Sequence, residues 1–150
     1  MKRTIFTLLS AGALATVVFD AFGQGLSPLL GYAKLAPVGL ASQTLKQVFG
    51  ASPAGAAYLL HIMTGLVAYT LGYFLIARPV QRAVLPRLHW SVTAAVYGVA
   101  LWVFALYIMA HLVAGNPPFL GFGPLTWVAL AGHIIYGLAL AAVMRDGRYV

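Results

Sequence analysis

The sequence predicts an all-α integral membrane protein with four transmembrane helices in an up-and-down bundle. Of its 150 residues, 62% are hydrophobic and only 7% are charged. A soluble domain usually carries about 25% charged residues, so this chain lacks the side chains to cover a surface facing water. The apolar stretches are continuous and do not alternate with period two, which favours helices over strands. We therefore expect one four-helix domain over residues 1–150.

Four apolar segments are each long enough to cross a hydrocarbon core of about 30 Å as a helix. They cover residues 5–30, 56–77, 90–114 and 125–144. The first follows Lys2 and Arg3, a start that also resembles a secretory signal. Because no Ala-x-Ala site closes this apolar stretch, we expect a retained first helix.

The basic residues predict the orientation of the helices. Nine Lys and Arg stand against two Asp and Glu, giving a net charge of +7. Seven of the nine fall on one side of the predicted bundle: Lys2, Arg3, Arg78, Arg82, Arg87, Arg145 and Arg148. Lys34 and Lys46 fall on the other side, so the positive-inside rule predicts cytoplasmic termini. The charge reflects missing acids, and we expect no nucleic-acid partner.

The two predicted outer loops differ in character. In residues 31–55, apolar side chains recur at helical spacing and favour a short amphipathic helix at the membrane interface. These side chains are Leu40, Ala41, Leu45, Val48 and Phe49. We expect this helix to cap the bundle, and a helix that docks a partner is the alternative. Residues 115–124 contain Asn116, three Pro and no charge, which predicts a rigid turn.

Short matching strings predict an internal repeat. His-Ile-x-x-Gly-Leu occurs at residues 61–66 and 133–138, and Ala-x-x-Val-Phe occurs at residues 15–19 and 100–104. Each half of the chain would cross the membrane twice in the same sense. The two halves, residues 1–80 and 81–150, would then be parallel repeats related by an axis along the membrane normal.

Polar side chains inside the apolar segments are the candidate functional residues. Asp20 lies within the first segment, where a charge costs about 2.5–3.5 kcal/mol on insertion scales. Gln24 and Ser27 share its helix face. Each of the other three segments contributes a histidine at a similar predicted depth: His61, His111 and His133. Helix bundles commonly build metal and cofactor sites from such inward-facing side chains.

Several chemistries fit this set. His61 and His133 could ligate a b-type haem, with Gly65 and Gly137 leaving room beside the ring. Imidazoles together with Asp20 would suit iron, zinc or copper. Asp20 and a histidine could also form a proton or quinone site, with Tyr69, Tyr107 or Tyr136 as hydrogen-bonding partners. The alternative is that these histidines only hydrogen-bond across helices.

The sequence resembles an uncharacterised family of small bacterial four-helix membrane proteins, over residues 12–144. The resemblance rests on three features: His-Ile-Met-x-Gly at residues 61–65, Trp102 with the stretch to Met109, and Gly-His-x-x-Tyr-Gly at residues 132–137. It implies a location in the bacterial inner membrane and a role for His61 and His133. It implies no substrate, cofactor or catalytic residue.

The sequence contains no phosphate-binding loop, metalloprotease motif or serine elbow, and no Cys. We therefore expect a non-enzymatic accessory or structural subunit of a larger membrane complex, or a homo-oligomer. A haem- or metal-binding redox protein is the first alternative. A small oligomeric transporter or a proton or quinone site centred on Asp20 is the second.

Overall fold

A computed structural model of the chain describes residues 2–145, which form helices and no strand. Four helices are long and apolar enough to cross a membrane: α1 (Lys2–Leu29), α3 (Ala56–Val84), α4 (Trp90–Val113) and α5 (Pro124–Met144). A shorter helix, α2 (Pro37–Phe49), connects α1 to α3. The prediction of an all-helical bundle with four apolar helices is confirmed at this level.

The four long helices alternate in direction, as their contacts show. On α1, Thr16 contacts Gly65 of α3, and Asp20, one turn later, contacts His61, one turn earlier. We call the end of the bundle that carries α2 the loop end, and the opposite end, where α1 begins and α5 ends, the termini end. Of the predicted basic cluster, Arg148 lies outside the described residues.

Helix α5 is the centre of the bundle. It packs against α1 on one side and α4 on the other, and α3 packs mainly on α1. Half of the apolar window of α5 is buried, compared with 17% for α3. Helix α3 therefore presents most of its apolar surface outward.

Glycines set the closest helix crossings, because a side chain there would meet a neighbouring helix. A Cβ at Gly65 would clash with the Thr16 side chain of α1. A Cβ at Gly137 would clash with the backbone carbonyl of Ala94 in α4. Small residues commonly allow such close approach between apolar helices, where packing rather than water drives association.

The second apolar segment, predicted over residues 56–77, lies within a longer helix. Arg78 and Pro79 follow the apolar run, and α3 continues through them to Val84. A wider π-helical turn, Tyr73–Ala77, precedes Pro79. Proline is tolerated here because the backbone hydrogen bonds of this turn span five residues instead of four.

Several long helices contain such π-helical stretches. Donors from other segments form hydrogen bonds to backbone carbonyls within these stretches. The stretch Ala21–Leu26 lies in α1, and the Gly23 carbonyl accepts a hydrogen bond from the Leu35 amide at 2.9 Å. The stretch Thr64–Tyr69 lies in α3, and the Gly65 carbonyl accepts one from the Tyr136 hydroxyl at 2.6 Å. These bonds satisfy buried polar groups without the regular helical partner.

Helix α2 corresponds to the predicted amphipathic helix and packs across the start of α3 and the end of α4. It buries Ala41 and Thr44. Two residues of its predicted apolar side, Val48 and Phe49, are exposed by 54% and 76%. They lie in its last turn, just before Gly50, whose φ of 76° ends the helix.

The uncharged turn between α4 and α5 adopts an unusual backbone. Phe119, Leu120 and Phe122 all have positive φ, a conformation that costs non-glycine residues free energy. The Phe119 ring packs against Trp102 with centroids 4.7 Å apart, and its carbonyl accepts a hydrogen bond from Thr126. These contacts hold the turn against α4 and α5.

Candidate functional site

The structure pairs two of the sequence-predicted residues, Asp20 and His61. The Nε2 atom of His61 lies 3.0 Å from each carboxylate oxygen of Asp20. The Asp20 side chain is 27% exposed and the His61 side chain is 14% exposed, so the pair lies at the edge of the bundle interior and not in its centre. A carboxylate in an apolar setting needs such a partner, since an isolated charge there is costly.

Gln24 holds the carboxylate from the other side. Its Nε2 atom donates a hydrogen bond to Oδ1 of Asp20 at 2.8 Å, from one turn further along α1. A carboxylate offers about four acceptor positions. The imidazole N–H and the Gln24 amide fill part of them, and Oδ2 retains the capacity to accept another donor.

The crossing of α1 and α3 positions this pair. Thr16 and Gly65 approach closely because Gly65 has no side chain. Asp20 lies four residues after Thr16, and His61 lies four residues before Gly65, so antiparallel helices bring these two side chains together one turn further toward the loop end. The local packing of small residues therefore determines which polar side chains meet.

The Asp20–His61 pair faces a partly open pocket of about 340 Å³ at the loop end. Its other polar lining residues are Gln24, Lys34 and Tyr58. The remaining wall is mostly apolar and is formed by Leu35, Ala36, Pro37, Val38, Gly39 and Ile62. A small pocket with an apolar wall and a few convergent polar groups is the usual form of a ligand site. We call it the loop-end pocket.

Leu35 fixes one wall of this pocket. Its side chain is 5% exposed and fills a hollow left by two glycines, Gly23 of α1 and Gly132 of α5. Ser27, which was expected to share the functional face of Asp20, instead donates a hydrogen bond to the Ala33 carbonyl at 2.8 Å. Ser27 therefore anchors the connecting segment and does not line the pocket.

His133 lies apart from this pair, inside the bundle. It is 6% exposed, and its Nδ1 atom lies 2.7 Å from the Ala129 carbonyl on its own helix. That distance fits an Nδ1–H donor, which leaves Nε2 as the acceptor nitrogen. The Phe19 ring contacts both histidine rings, with centroid distances of 5.1 Å to His133 and 6.3 Å to His61.

His111 belongs to a third environment, at the end of α4. Its Nδ1 atom lies 2.7 Å from the Asn116 carbonyl, where the helix gives way to the turn. The Asn116 amide in turn donates to Gln43 of α2 at 3.0 Å. His111 thus joins α4 to its following turn, and it does not line the loop-end pocket.

The four predicted polar side chains therefore do not form one cluster. Within residues 2–145, no three His, Asp or Glu side chains come close enough to hold a metal ion. The space that Gly65 and Gly137 were expected to leave for a porphyrin is taken by Thr16 and by the Ala94 backbone. The arrangement favours neither a metal nor a haem site.

A second polar cluster lies deeper in the bundle, toward the termini end, and involves two of the predicted tyrosines. Tyr136 donates to the Gly65 carbonyl, and the Tyr97 hydroxyl donates to the Tyr69 carbonyl at 2.5 Å. Thr70 donates to the Gly65 carbonyl at 3.1 Å. All these hydroxyls bond to backbone carbonyls of the π-helical stretch of α3, so they stabilise its irregular geometry.

The third predicted tyrosine, Tyr107, lies outside this cluster. Its ring packs against His111 with centroids 5.5 Å apart.

The pocket residues that were missed from the sequence include Lys34, Leu35 and Tyr58. Tyr58 precedes His61 by three residues, and this spacing places both on one face of α3. That signal was available. Lys34 and Leu35 lie in a connection without helical periodicity, and nothing in the sequence shows that it folds back over α1.

Comparisons with family models, with curated proteins and with solved structures found no match.

Proposed function

We propose that this protein binds a membrane-soluble small molecule in the loop-end pocket and holds its polar head at the Asp20–His61 pair. The single observation that carries the proposal is a carboxylate–imidazole pair facing an otherwise largely apolar, partly open pocket. The sequence already suggested a binding or proton-exchange site centred on Asp20. The pocket adds a space beside that side chain.

The geometry supports binding more than a purely structural pair. A fully buried structural ion pair would be expected to fill its acceptor positions within the protein. Here Asp20 is still 27% exposed, and its neighbours in the pocket include Lys34 and the Tyr58 hydroxyl. These groups can donate to or accept from a polar head, while the apolar wall suits the adjoining hydrocarbon.

The proposal includes the location and topology predicted from the sequence. The protein would lie in the bacterial inner membrane with cytoplasmic termini, and the loop-end pocket would open at the outer face. The charge distribution supports this, because Lys2, Arg82 and Arg145 belong to the termini end, whereas among the Lys and Arg of residues 2–145 only Lys34 and Lys46 belong to the loop end.

The experiment is extraction of the small molecules that remain with the protein after purification in mild detergent. We expect one species to accompany the wild type in stoichiometric amount and to be lost from His61→Ala. The matched control is His89→Ala, because His89 is exposed, lies beside the start of α4 at the other end of the bundle and hydrogen-bonds only locally, to Ser91. Mass spectrometry of the extracts measures the difference.

Identical extracts from the wild type and both variants would overturn the proposal. Because His61→Ala could also disturb packing, Asp20→Asn provides a second variant of nearly the same shape. Its melting temperature in detergent verifies that the bundle is intact, and loss of the bound species from a folded Asp20→Asn protein would assign the effect to the carboxylate.

The accessory-subunit role stays a prediction. The outward apolar surface of α3 suits lipid tails and partner helices equally, so no contact favours it over ligand binding. Membership of the small membrane-protein family that the sequence resembles also stays a prediction.

A further inference from the structure

Apart from His61, the loop-end pocket has one acidic and one basic side chain in its lining. Asp20 is the only Asp or Glu in residues 2–145, and Lys34 is the only Lys or Arg that lines the pocket. His61, Gln24 and Tyr58 are the other polar groups that face it, from α1 and α3, whereas α2 contributes only apolar residues and Gly39. The lining is therefore dipolar.

We propose that the ligand head carries a primary ammonium group next to an acidic phosphate, the head-group chemistry of an ethanolamine phospholipid. This inference rests on the proposed function, since it names the ligand class of the same pocket. The ammonium pairs with Asp20 and the phosphate pairs with Lys34.

The Asp20 carboxylate can accept one more hydrogen bond than the protein provides. His61 Nε2 and Gln24 Nε2 approach the carboxylate at 3.0 Å and 2.8 Å, and Oδ2 still has room for one more hydrogen bond. A primary ammonium has three N–H donors and a positive charge. A choline head has no N–H at all, so it lacks the donor that this carboxylate can accept.

Lys34 provides a positive charge that can bind the phosphate of the head group. Its ammonium can pair with a phosphate oxygen, and charge-assisted hydrogen bonds of this kind are about twice as strong as neutral ones. A neutral head, such as a quinol, would leave Lys34 to water. An anionic glycerol phosphate head would suit Lys34 but would bring no cation to Asp20.

The shape of the pocket favours a lipid over a soluble molecule. Tyr58 and Ile62, on the α3 side of the pocket, are exposed by 65% and 42%, so this side meets the surroundings of the bundle. At about 340 Å³ the pocket is near the lower limit for small-molecule sites and suits a head group with the first part of its chains, whose remainder lies outside.

The test is titration of the detergent-purified full chain with three dioctanoyl phospholipids that bear ethanolamine, choline or glycerol heads, followed by native mass spectrometry. We expect the wild type to bind the ethanolamine lipid about tenfold or more tightly than the choline lipid, the effect of one charged hydrogen bond. Asp20→Asn should abolish this preference. Lys34→Ala should weaken binding of the ethanolamine lipid, and Lys46→Ala, which changes the other loop-end lysine, should not.

Free phosphoethanolamine distinguishes the source of the head group. Weaker binding of this soluble molecule supports the membrane lipid, and binding as tight as that of the lipid supports the same head chemistry from a soluble source. Equal wild-type binding of the ethanolamine and choline lipids overturns the inference, and this comparison needs no variant to fold. If a quinone such as decylubiquinone binds and no phospholipid does, the inference fails while the proposed function stands.

Discussion

The two helical hairpins, α1 with α3 and α4 with α5, contain the same His-Ile-x-x-Gly-Leu string but use its histidine differently. In the first hairpin His61 bonds to a carboxylate of the facing helix and borders a pocket. In the second, His133 is buried and its Nδ1 atom bonds to the backbone of its own helix. A shared motif therefore does not imply a shared role.

The residues on the facing helices explain the difference. When residues 15–19 of α1 are aligned with residues 100–104 of α4, the position of Asp20 corresponds to Ala105. Within the described residues, the second hairpin thus has no carboxylate for its histidine. It also lacks a counterpart of the Gly31–Ala36 connection and α2, which provide the pocket wall in the first hairpin. The comparison teaches that the polar site depends on one residue, Asp20, and on the segment that includes α2.

Replacement of the two histidines tests this comparison with the largest expected effect. His133→Ala should reduce the free energy of unfolding by about 3 kcal/mol, because it leaves a cavity in a packed interior. His61→Ala should cost less, about 1 kcal/mol, since the partly exposed Asp20 keeps its hydrogen bond from Gln24. Equilibrium unfolding in mixed micelles measures both, and equal losses would show that the two histidines have the same structural role.

The matched glycines should show a smaller asymmetry. Gly137→Ala should cost about 2 kcal/mol, because its Cβ would meet the Ala94 backbone carbonyl, which no side-chain change can remove. Gly65→Ala meets the Thr16 side chain, so we expect about 1 kcal/mol and partial recovery when Thr16→Ala is added. Melting temperatures of the single and double variants measure this recovery, and strict additivity would contradict the proposed contact.

The smallest effect concerns the position three residues after each histidine. Tyr136→Phe should cost about 1 kcal/mol, because it removes a buried hydrogen bond to the Gly65 carbonyl. At the matching position of the first hairpin, Thr64 bonds only to the Leu60 carbonyl of its own helix, so Thr64→Ala should change stability by less than about 0.5 kcal/mol. A larger loss of stability for Thr64→Ala in the same unfolding measurement would contradict this expectation. It would show that Thr64 contributes to the packing of α3 in the bundle.

The sequence predicts the helices well because hydropathy is a property of contiguous residues. It also identifies Asp20, since a carboxylate in an apolar stretch is costly and therefore needs a partner. It does not predict which of three histidines is that partner, because depth along each helix was estimated without knowing which helices are neighbours. The position of Leu35 was equally hidden, since it depends on a hollow shared by two glycines that are distant in sequence.

The insertion of Leu35 between Gly23 and Gly132 has a consequence for how such a protein can change over time. The crossings of the long helices depend on other residues, among them Gly65 and Gly137, so the scaffold and the wall of the binding site are largely independent modules. Substitutions of Lys34 and Ala36, which are exposed and line the pocket, would alter the preference of the proposed ligand site at little cost to the bundle. New specificities are therefore accessible to this architecture by changes in a single short connection.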